Sequence, residues 1–218
     1  NPDLVVEQYG ADTLRLYEMF MGPLEASLPW NGNGLEGARK FIDRVYRLFE
    51  DGEYNSKIVE VNDGSLDYIY NFTVKKITND FENLQFNTAI SQMMIFINEL
   101  YKAKTIYKPY FENFVKMFDC ICPFIGEEIW HTYLGHSDMI TYAEWPTYDE
   151  SKAVLSTIKI GVQVNGKLRD TIEIEKDSED EVVKEKALSS ENVKRNIEGK
   201  TIVKIIVVKN KIVSIVVK

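Results

Sequence analysis

IKIGVQVNGKLRDTIEI, residues 158–174, decides half of the fold. Ile158, Ile160, Val162 and Val164 alternate with Lys159, Gly161 and Gln163, the period of a strand that buries one face. Asn165-Gly166 then offers the left-handed pair of a type I′ turn, and Leu168, Ile172 and Ile174 resume beyond it, so the stretch predicts a β-hairpin. Downstream, Ser178 and Glu181 have capping-box spacing ahead of Val182, Val183, Ala187 and Leu188, and Ser190 can start a second helix carrying Val193 and Ile197 up to Gly199. Val203–Val208 and Ile212–Val217 read as strands flanking Lys209-Asn210-Lys211, where Asn210 can take the left-handed conformation. Residues 158–218 are therefore expected to form a small α+β domain of order ββααββ, near the lower size limit for an independent core.

Upstream the period changes. From Gly10 to Tyr142 apolar residues recur every three or four positions, as in helices with one buried face. Asp12 can cap a helix carrying Leu14, Leu16, Tyr17, Phe20 and Met21, stopped by Gly22-Pro23. Leu35–Phe49, Leu66–Phe81 and a segment from Asn87 to Tyr101 follow, then a helix reopened by Pro109 through Phe118, a break at Pro123, and Glu127–Leu134. This predicts a mostly α-helical bundle. Trp145–Asp149 has no periodicity. The expected organisation is 1–30 as a leading segment, 31–146 as the bundle, 147–157 as a linker and 158–218 as the small domain.

The 218 residues carry 26 Lys+Arg against 34 Asp+Glu, net -8, with 44% hydrophobic and 12% aromatic residues. That apolar content excludes a disordered chain. Charge is uneven: residues 1–157 hold 13 basic against 24 acidic side chains, whereas 158–218 hold 13 against 10. Thr201–Val217 alternates and is interrupted by Lys204, Lys209, Asn210 and Lys211, so it reads as strands and not as a membrane span. Two cysteines give no disulfide framework and no leader opens the chain, from which a cytoplasmic setting is expected. The opening Asn1-Pro2-Asp3 suggests a piece of a longer protein.

Catalytic or metal chemistry has little to work with. Cys120, Cys122, His131 and His136 are the only soft ligand set, and a C-x-C on a helix aims its thiols apart, so no metal site is expected; the cysteines read as buried small apolar groups. Glu127 and Glu128 diverge by about 100° on a helix and are expected to support its start electrostatically. Met93, Met94 and the aromatics of Phe111–Phe124 have core spacing. No catalytic residue is assigned. Lys40, Arg44 and Arg47 leave one helix face, as phosphate contacts require, although a solvated face has the same spacing. The two hairpin turns carry the stronger signal: Lys167 and Arg169 follow one, and Lys209 and Lys211 flank the other, where side chains project outward. Lys204 and Lys218 read equally well as protection for strand edges.

Several motifs together resemble the C-terminal part of bacterial-type leucyl-tRNA synthetases, class I aminoacyl-tRNA synthetases. Asn1-Pro2-Asp3 with Tyr9–Tyr17 is similar to the segment after the KMSKS loop. Pro29-Trp30-Asn31 and Glu36–Phe41 resemble the start of the helical anticodon-binding-type domain. Cys122–Trp130 is similar to the family's Pro-x-x-x-Glu-Glu-Leu-Trp helix, with Gly126 where Ala is common, a change expected to weaken the helix. Glu144-Trp145-Pro146 resembles its Ser-Trp-Pro, and Val162–Arg169 its Val-Gln-Val-Asn-Gly-Lys-x-Arg. The resemblance implies docking of leucine tRNA by its corner and long variable arm, for leucylation by catalytic and editing domains of the same parent chain. The parent would use ATP with magnesium; this portion would hold no cofactor, lack ligase activity alone, and contact neither membrane nor DNA. Lys167, Arg169, Lys209 and Lys211 are the expected tRNA contacts, with Arg44 and Arg47 secondary. The competing expectation is a protein-interaction module whose small sheet pairs by its edge.

Overall fold

The computed structural model describes residues 1–27, 29–154 and 157–218. Leu28, in the expected leading segment, and Leu155 and Ser156, in the expected linker, lie outside the described residues. The chain divides into two compact units, Asn1–Val154 and Leu155–Lys218, each with its own apolar cluster. The first is a helical bundle and the second a small α+β fold, the class the two periodicities predict.

The helical unit runs α1 (Pro2–Tyr9), α2 (Ala11–Phe20), α3 (Asn33–Glu50), α4 (Gly52–Asn55), β1 (Ile58–Val59), α5 (Asp67–Glu82), α6 (Phe86–Lys102), β2 (Ile106–Tyr107), α7 (Lys108–Asp119) and α8 (Pro123–Glu128). Helix α1 carries a weak apolar signal because none of its residues is fully buried; Val5 and Tyr9 only partly pack against the core. Its marks are local: the Asn1 side chain accepts from the Asp3 N–H, and Pro2 occupies a first-turn position where its missing donor costs nothing. Helix α3 shows the opposite case. Leu35, Ala38, Phe41, Ile42, Val45, Leu48 and Phe49 form one buried stripe. It packs into a core shared with Ile90, Met93, Phe96 and Ile97 of α6 and with Phe111, Phe114 and Phe118 of α7. Phe49 stacks on Phe111 with ring centroids 4.1 Å apart, and Phe41 meets Phe118 edge-on. Of the expected core members, Phe124 is exposed, and Met94 is only partly buried at the edge of the cluster, packed against it.

Three local expectations change. Asp12 does not cap its own helix; Gly10 precedes α2, and the Asp12 carboxylate accepts the N–H groups of Phe124 and Ile125 at 3.4 and 2.8 Å, in the first turn of α8. Glu127 and Glu128 do not support a helix start, because α8 begins at Pro123 and ends with them. Glu127 instead accepts from the Ile140 N–H. The chain beyond α8 widens into a π-helical turn, Ile129–Tyr133. Cys120 is exposed and only Cys122 is buried.

The segment Thr147–Lys152 is tied to α5. The Tyr70 hydroxyl donates to the Thr147 carbonyl, the Asn71 side chain accepts from the Asp149 N–H, and Lys75 and Lys152 pair with Glu150 and with Asp67 respectively.

The α+β unit comprises β3 (Thr157–Val164), β4 (Lys167–Glu175), α9 (Asp180–Ser189), α10 (Glu191–Ile197), β5 (Ile202–Val208) and β6 (Ile212–Val217). Its sheet order is β4-β3-β6-β5, antiparallel except for the central β3/β6 pair. Ile160, Val162, Val164, Ile172, Ile174, Val213, Ile215 and Val217 cluster with Val183, Ala187 and Val193 of the two helices. The expected capping box is not formed: Glu179 precedes α9 and the Ser178 hydroxyl donates to the Glu175 carbonyl. Ser190 does cap α10, accepting from the Val193 N–H.

Candidate nucleic-acid interface

Both hairpin turns form as their residues require. Asn165 and Gly166 have φ of 47° and 76°, and Asn210 has φ of 58°. Asn165 adds a function no turn rule supplies. Its side-chain oxygen accepts from the Val217 N–H at 2.9 Å and its amide donates to the Val217 carbonyl at 3.0 Å, so the β3–β4 turn is clamped onto the end of β6. A register shift between Val162 and Gln163 places Arg169 in a bulge on β4. Lys167 and Arg169 are exposed, as is Lys211; among the described residues none of the three forms an ion pair.

Lys209 is different. Its ammonium lies 3.4 Å from Asp177, in the β4–α9 connection. The same carboxylate accepts from the Asn210 side chain, and the Asp177 N–H donates back to Asn210. These contacts, the Asn210 bond foremost, hold the Asp177 carboxyl below the ordinary aspartate range. Lys209 is therefore partly neutralised within its own unit.

The sheet separates the four turn cations into two pairs. Strands β3 and β6 are parallel, with Gly161 opposite Ile212 and Val164 opposite Ile215. The β3–β4 turn consequently sits at the end where β6 finishes, and the β5–β6 turn sits where β6 begins. Lys167 pairs with Val164 and so stands level with Ile215, four residues beyond Lys211 or roughly 13 Å along the strand direction, and Arg169 lies between the two levels. They do not converge on one point. The first end gathers two cations that sequence patterning assigns elsewhere or leaves unassigned. Lys218 exchanges both backbone hydrogen bonds with Thr201, which places it at the same end of the sheet as the Lys167 turn, and Lys200, across on the β5 edge of that end, donates to the Asn196 carbonyl. Only the strand pairing brings these residues together; sequence distance hides it.

In the helical unit Arg47 is exposed and Arg44 is half-buried. Arg44 donates to the Asn98 side chain at 2.9 Å, and its guanidinium lies over the Tyr101 ring, 4.9 Å from the centroid. Among the described residues no group of three or more His, Cys, Asp or Glu is placed to hold a metal ion, and no helix is long and apolar enough to cross a membrane.

Residues 63–184 match the model of the family described as anticodon-binding domain of tRNA ligase. Among solved structures the chain is similar to one in the crystal structure of the ternary complex of Agrobacterium radiobacter K84 agnB2 LeuRS-tRNA-LeuAMS. That match has a TM-score of 0.73 at 26% identity and covers 100% of this chain. It covers 30% of the other chain, so this sequence spans under a third of that relative's length. The matched span takes in more than half of the chain, and the chain belongs to the anticodon-binding domain family of tRNA ligases.

Proposed function

We propose that this chain is the tRNA-docking portion of a leucine-tRNA ligase. Lys167, Arg169, Lys209 and Lys211 of the α+β unit are its main contacts, with Arg44 and Arg47 of the helical unit secondary. One observation carries the reading: a chain of a tRNA-ligase anticodon-binding family lifts Lys167, Arg169 and Lys211 into solvent without carboxylate partners among the described residues. Phosphates are neutralised by such side chains, and A-form RNA is recognised through shape and backbone more than through base edges. Cations at both ends of one sheet suit a large folded RNA, here the corner and long variable arm of leucine tRNA. Leucylation with ATP and magnesium, and editing, then belong to the catalytic and editing domains of the parent chain in the cytoplasm. The HIGH and KMSKS motifs that would mark the catalytic part are absent from this sequence.

The test is fluorescence anisotropy of labelled leucine tRNA with the 218-residue chain at about 0.05 and 0.2 M KCl. Binding should weaken steeply with salt. Reversing Lys167 and Arg169 to Glu should weaken it further and flatten the salt dependence, with the circular dichroism spectrum unchanged. Absence of tRNA binding, or binding insensitive to both salt and charge reversal, overturns the proposal.

A further inference from the structure

We propose that the face of the four-stranded sheet turned away from α9 and α10 docks an acidic amphipathic helix of a partner protein, on an apolar patch made by Leu168, Ile206, Val208, Ile212 and Val216. This site is separate from tRNA docking, and either reading can fail without the other.

Strand residues point alternately to the two faces of a sheet, and a sheet with one wet face alternates apolar with polar residues. Strands β5 and β6, with sequences IVKIIVV and IVSIVV, do not alternate. Ile205, Val207, Val213 and Ile215 pack in the cluster shared with the helices. Their neighbours fall on the other face, where Ile206 stands opposite Ser214, Val208 opposite Ile212 and Val216 opposite Lys204. Ile206, Val208 and Val216 are exposed there. Near-continuous apolar strands mark a sheet covered on both sides, and within this unit helices cover one.

Strand β3 would divide the patch if it carried a side chain at its middle. It carries Gly161, opposite Ile212 on one side and Thr171 on the other. A Cβ at Gly161 would lie 2.8 Å from the Leu168 Cδ1 atom and 3.8 Å from the Ile212 Cγ1 atom. Leu168 of β4 therefore lies across β3 towards Ile212, although 62% of it remains exposed. Glycine in a strand weakens it and marks a close approach; here it joins β4 to β6 in one apolar floor.

Charge and shape decide the occupant. Lys159 and Lys204 stand on this face at its two ends, and among the described residues neither forms an ion pair. Glu173, the carboxylate opposite Lys159, accepts from the Thr157 hydroxyl. Residues 157–175 and 201–218, the strands with their turns, hold seven basic side chains against three carboxylates, whereas 176–200, which carries the helices, holds six against seven. An apolar centre with a basic rim complements an apolar stripe flanked by Glu and Asp. A second copy of the same face would set lysine against lysine, which is repulsive. RNA would satisfy the lysines but leave an aliphatic centre that offers no ring for a base to stack on. Four strands span roughly 14 Å, about three turns of helix. Helix α9, ten residues long, already crosses the opposite face from β4 to β5 in this way.

The experiment titrates the full chain with a synthetic peptide of about 15 residues, long enough for four helical turns, bearing Leu on one face and Glu on its flanks. A Lys-for-Glu counterpart and a scrambled Glu/Leu peptide are the controls. Affinity is read by fluorescence anisotropy and the site by amide shifts in the isotope-labelled chain. The Glu peptide should bind, shift the amides of Ile206, Ile212 and Val216, and weaken with salt. Ile206→Thr with Val208→Thr, which keeps the β-branching strands favour, should weaken it by about tenfold. Lys159→Glu with Lys204→Glu should turn the preference to the Lys peptide. Thermal melting checks each fold, and Leu168→Ala, at an exposed position, supplies a milder replacement with the same expected direction. No binding of the Glu peptide, equal binding of either control, or shifts confined to the helical unit overturns the proposal. Self-association of the chain that Ile206→Thr with Val208→Thr abolishes gives the face to a second copy, and leucine tRNA shifting the same amides gives it to RNA; each also overturns it.

Discussion

Asp119 and Gly126 show how much a single residue can conceal from sequence inspection. A Cβ at Gly126 would lie 2.4 Å from the Asp119 Oδ1 atom and 3.0 Å from its backbone Cα. Glycine there is not merely a weakened helix position; it makes room for a carboxylate. That carboxylate has an oxygen without a partner among the described residues and faces Glu127 and Asp12, with Arg15 as the nearby cation. Burial first, and then the two acidic neighbours, push its pKa up to about 7. A raised folded-state value means the folded form keeps a proton that the unfolded chain releases near pH 4, so stability falls as pH rises between these values. Asp119→Asn should therefore raise the melting temperature at pH 8 and flatten its pH profile between about 4 and 7, with a gain on the order of 1 kcal/mol for this half-buried group. A variant less stable than wild type at pH 8 contradicts the assignment. Gly126→Ala should destabilise by about 1–3 kcal/mol through overpacking, and equal stability in urea denaturation would show that the contact yields freely. Arg15 is hidden in the same way: it donates to the carbonyls of Cys120 and Ile121, and nothing in its neighbourhood along the chain announces this.

Elements are legible where one period runs unbroken. Helices α3, α5, α6 and α7 and all four long strands follow from apolar spacing, because burial on a single face is what writes that spacing. Elements held by other means leave no such trace. Helix α1 fully buries no residue, β1 and β2 pair over two residues each, and the π-helical turn after Glu128 is recorded only in backbone geometry. The hairpin is plain in the sequence, yet only half its content is visible there. Asn-Gly announces the turn, but the clamp from Asn165 to Val217 depends on a parallel strand pairing between residues 52 apart in sequence. This separates two variants. Asn165→Gly keeps the positive φ and loses both hydrogen bonds, whereas Asn165→Ala loses the bonds and also strains the backbone. The glycine variant should cost about 1–3 kcal/mol, for two buried-end backbone groups left unpaired, and alanine about 1 kcal/mol more. Equal losses in chemical denaturation would mean that the turn conformation carries no strain. The helix cap gives a parallel case: the sequence marks Ser190 as a helix start, but its hydroxyl also donates to Asp170 on β4. Ser190→Ala should therefore lose more than the roughly 1 kcal/mol of an isolated cap.

For the molecule as a whole, charge placement matters more than net charge. A chain of net -8 would be expected to avoid polyanions, and the sequence division into an acidic and a mildly basic part already qualifies that expectation. Strand order refines it, since the basic part holds two groups of cations at opposite ends of one sheet, one of them partly neutralised by Asp177. The slope of log affinity against log salt counts such contacts, because each neutralised phosphate releases about 0.7–0.9 of a counterion. Lys167→Gln, Arg169→Gln and Lys211→Gln should each lower the slope by close to that amount. Lys209→Gln should lower it by less, because part of its charge is already spent on Asp177. The converse variant is the sharper measurement. Asp177→Asn retains a side chain able to pair with Asn210 while freeing the Lys209 ammonium, so it should tighten tRNA binding and steepen the slope. If Asp177→Asn instead left affinity and slope unchanged in a correctly folded chain, the β5–β6 turn would lie outside the RNA footprint, and docking by this unit would rest on the Lys167 end of the sheet alone.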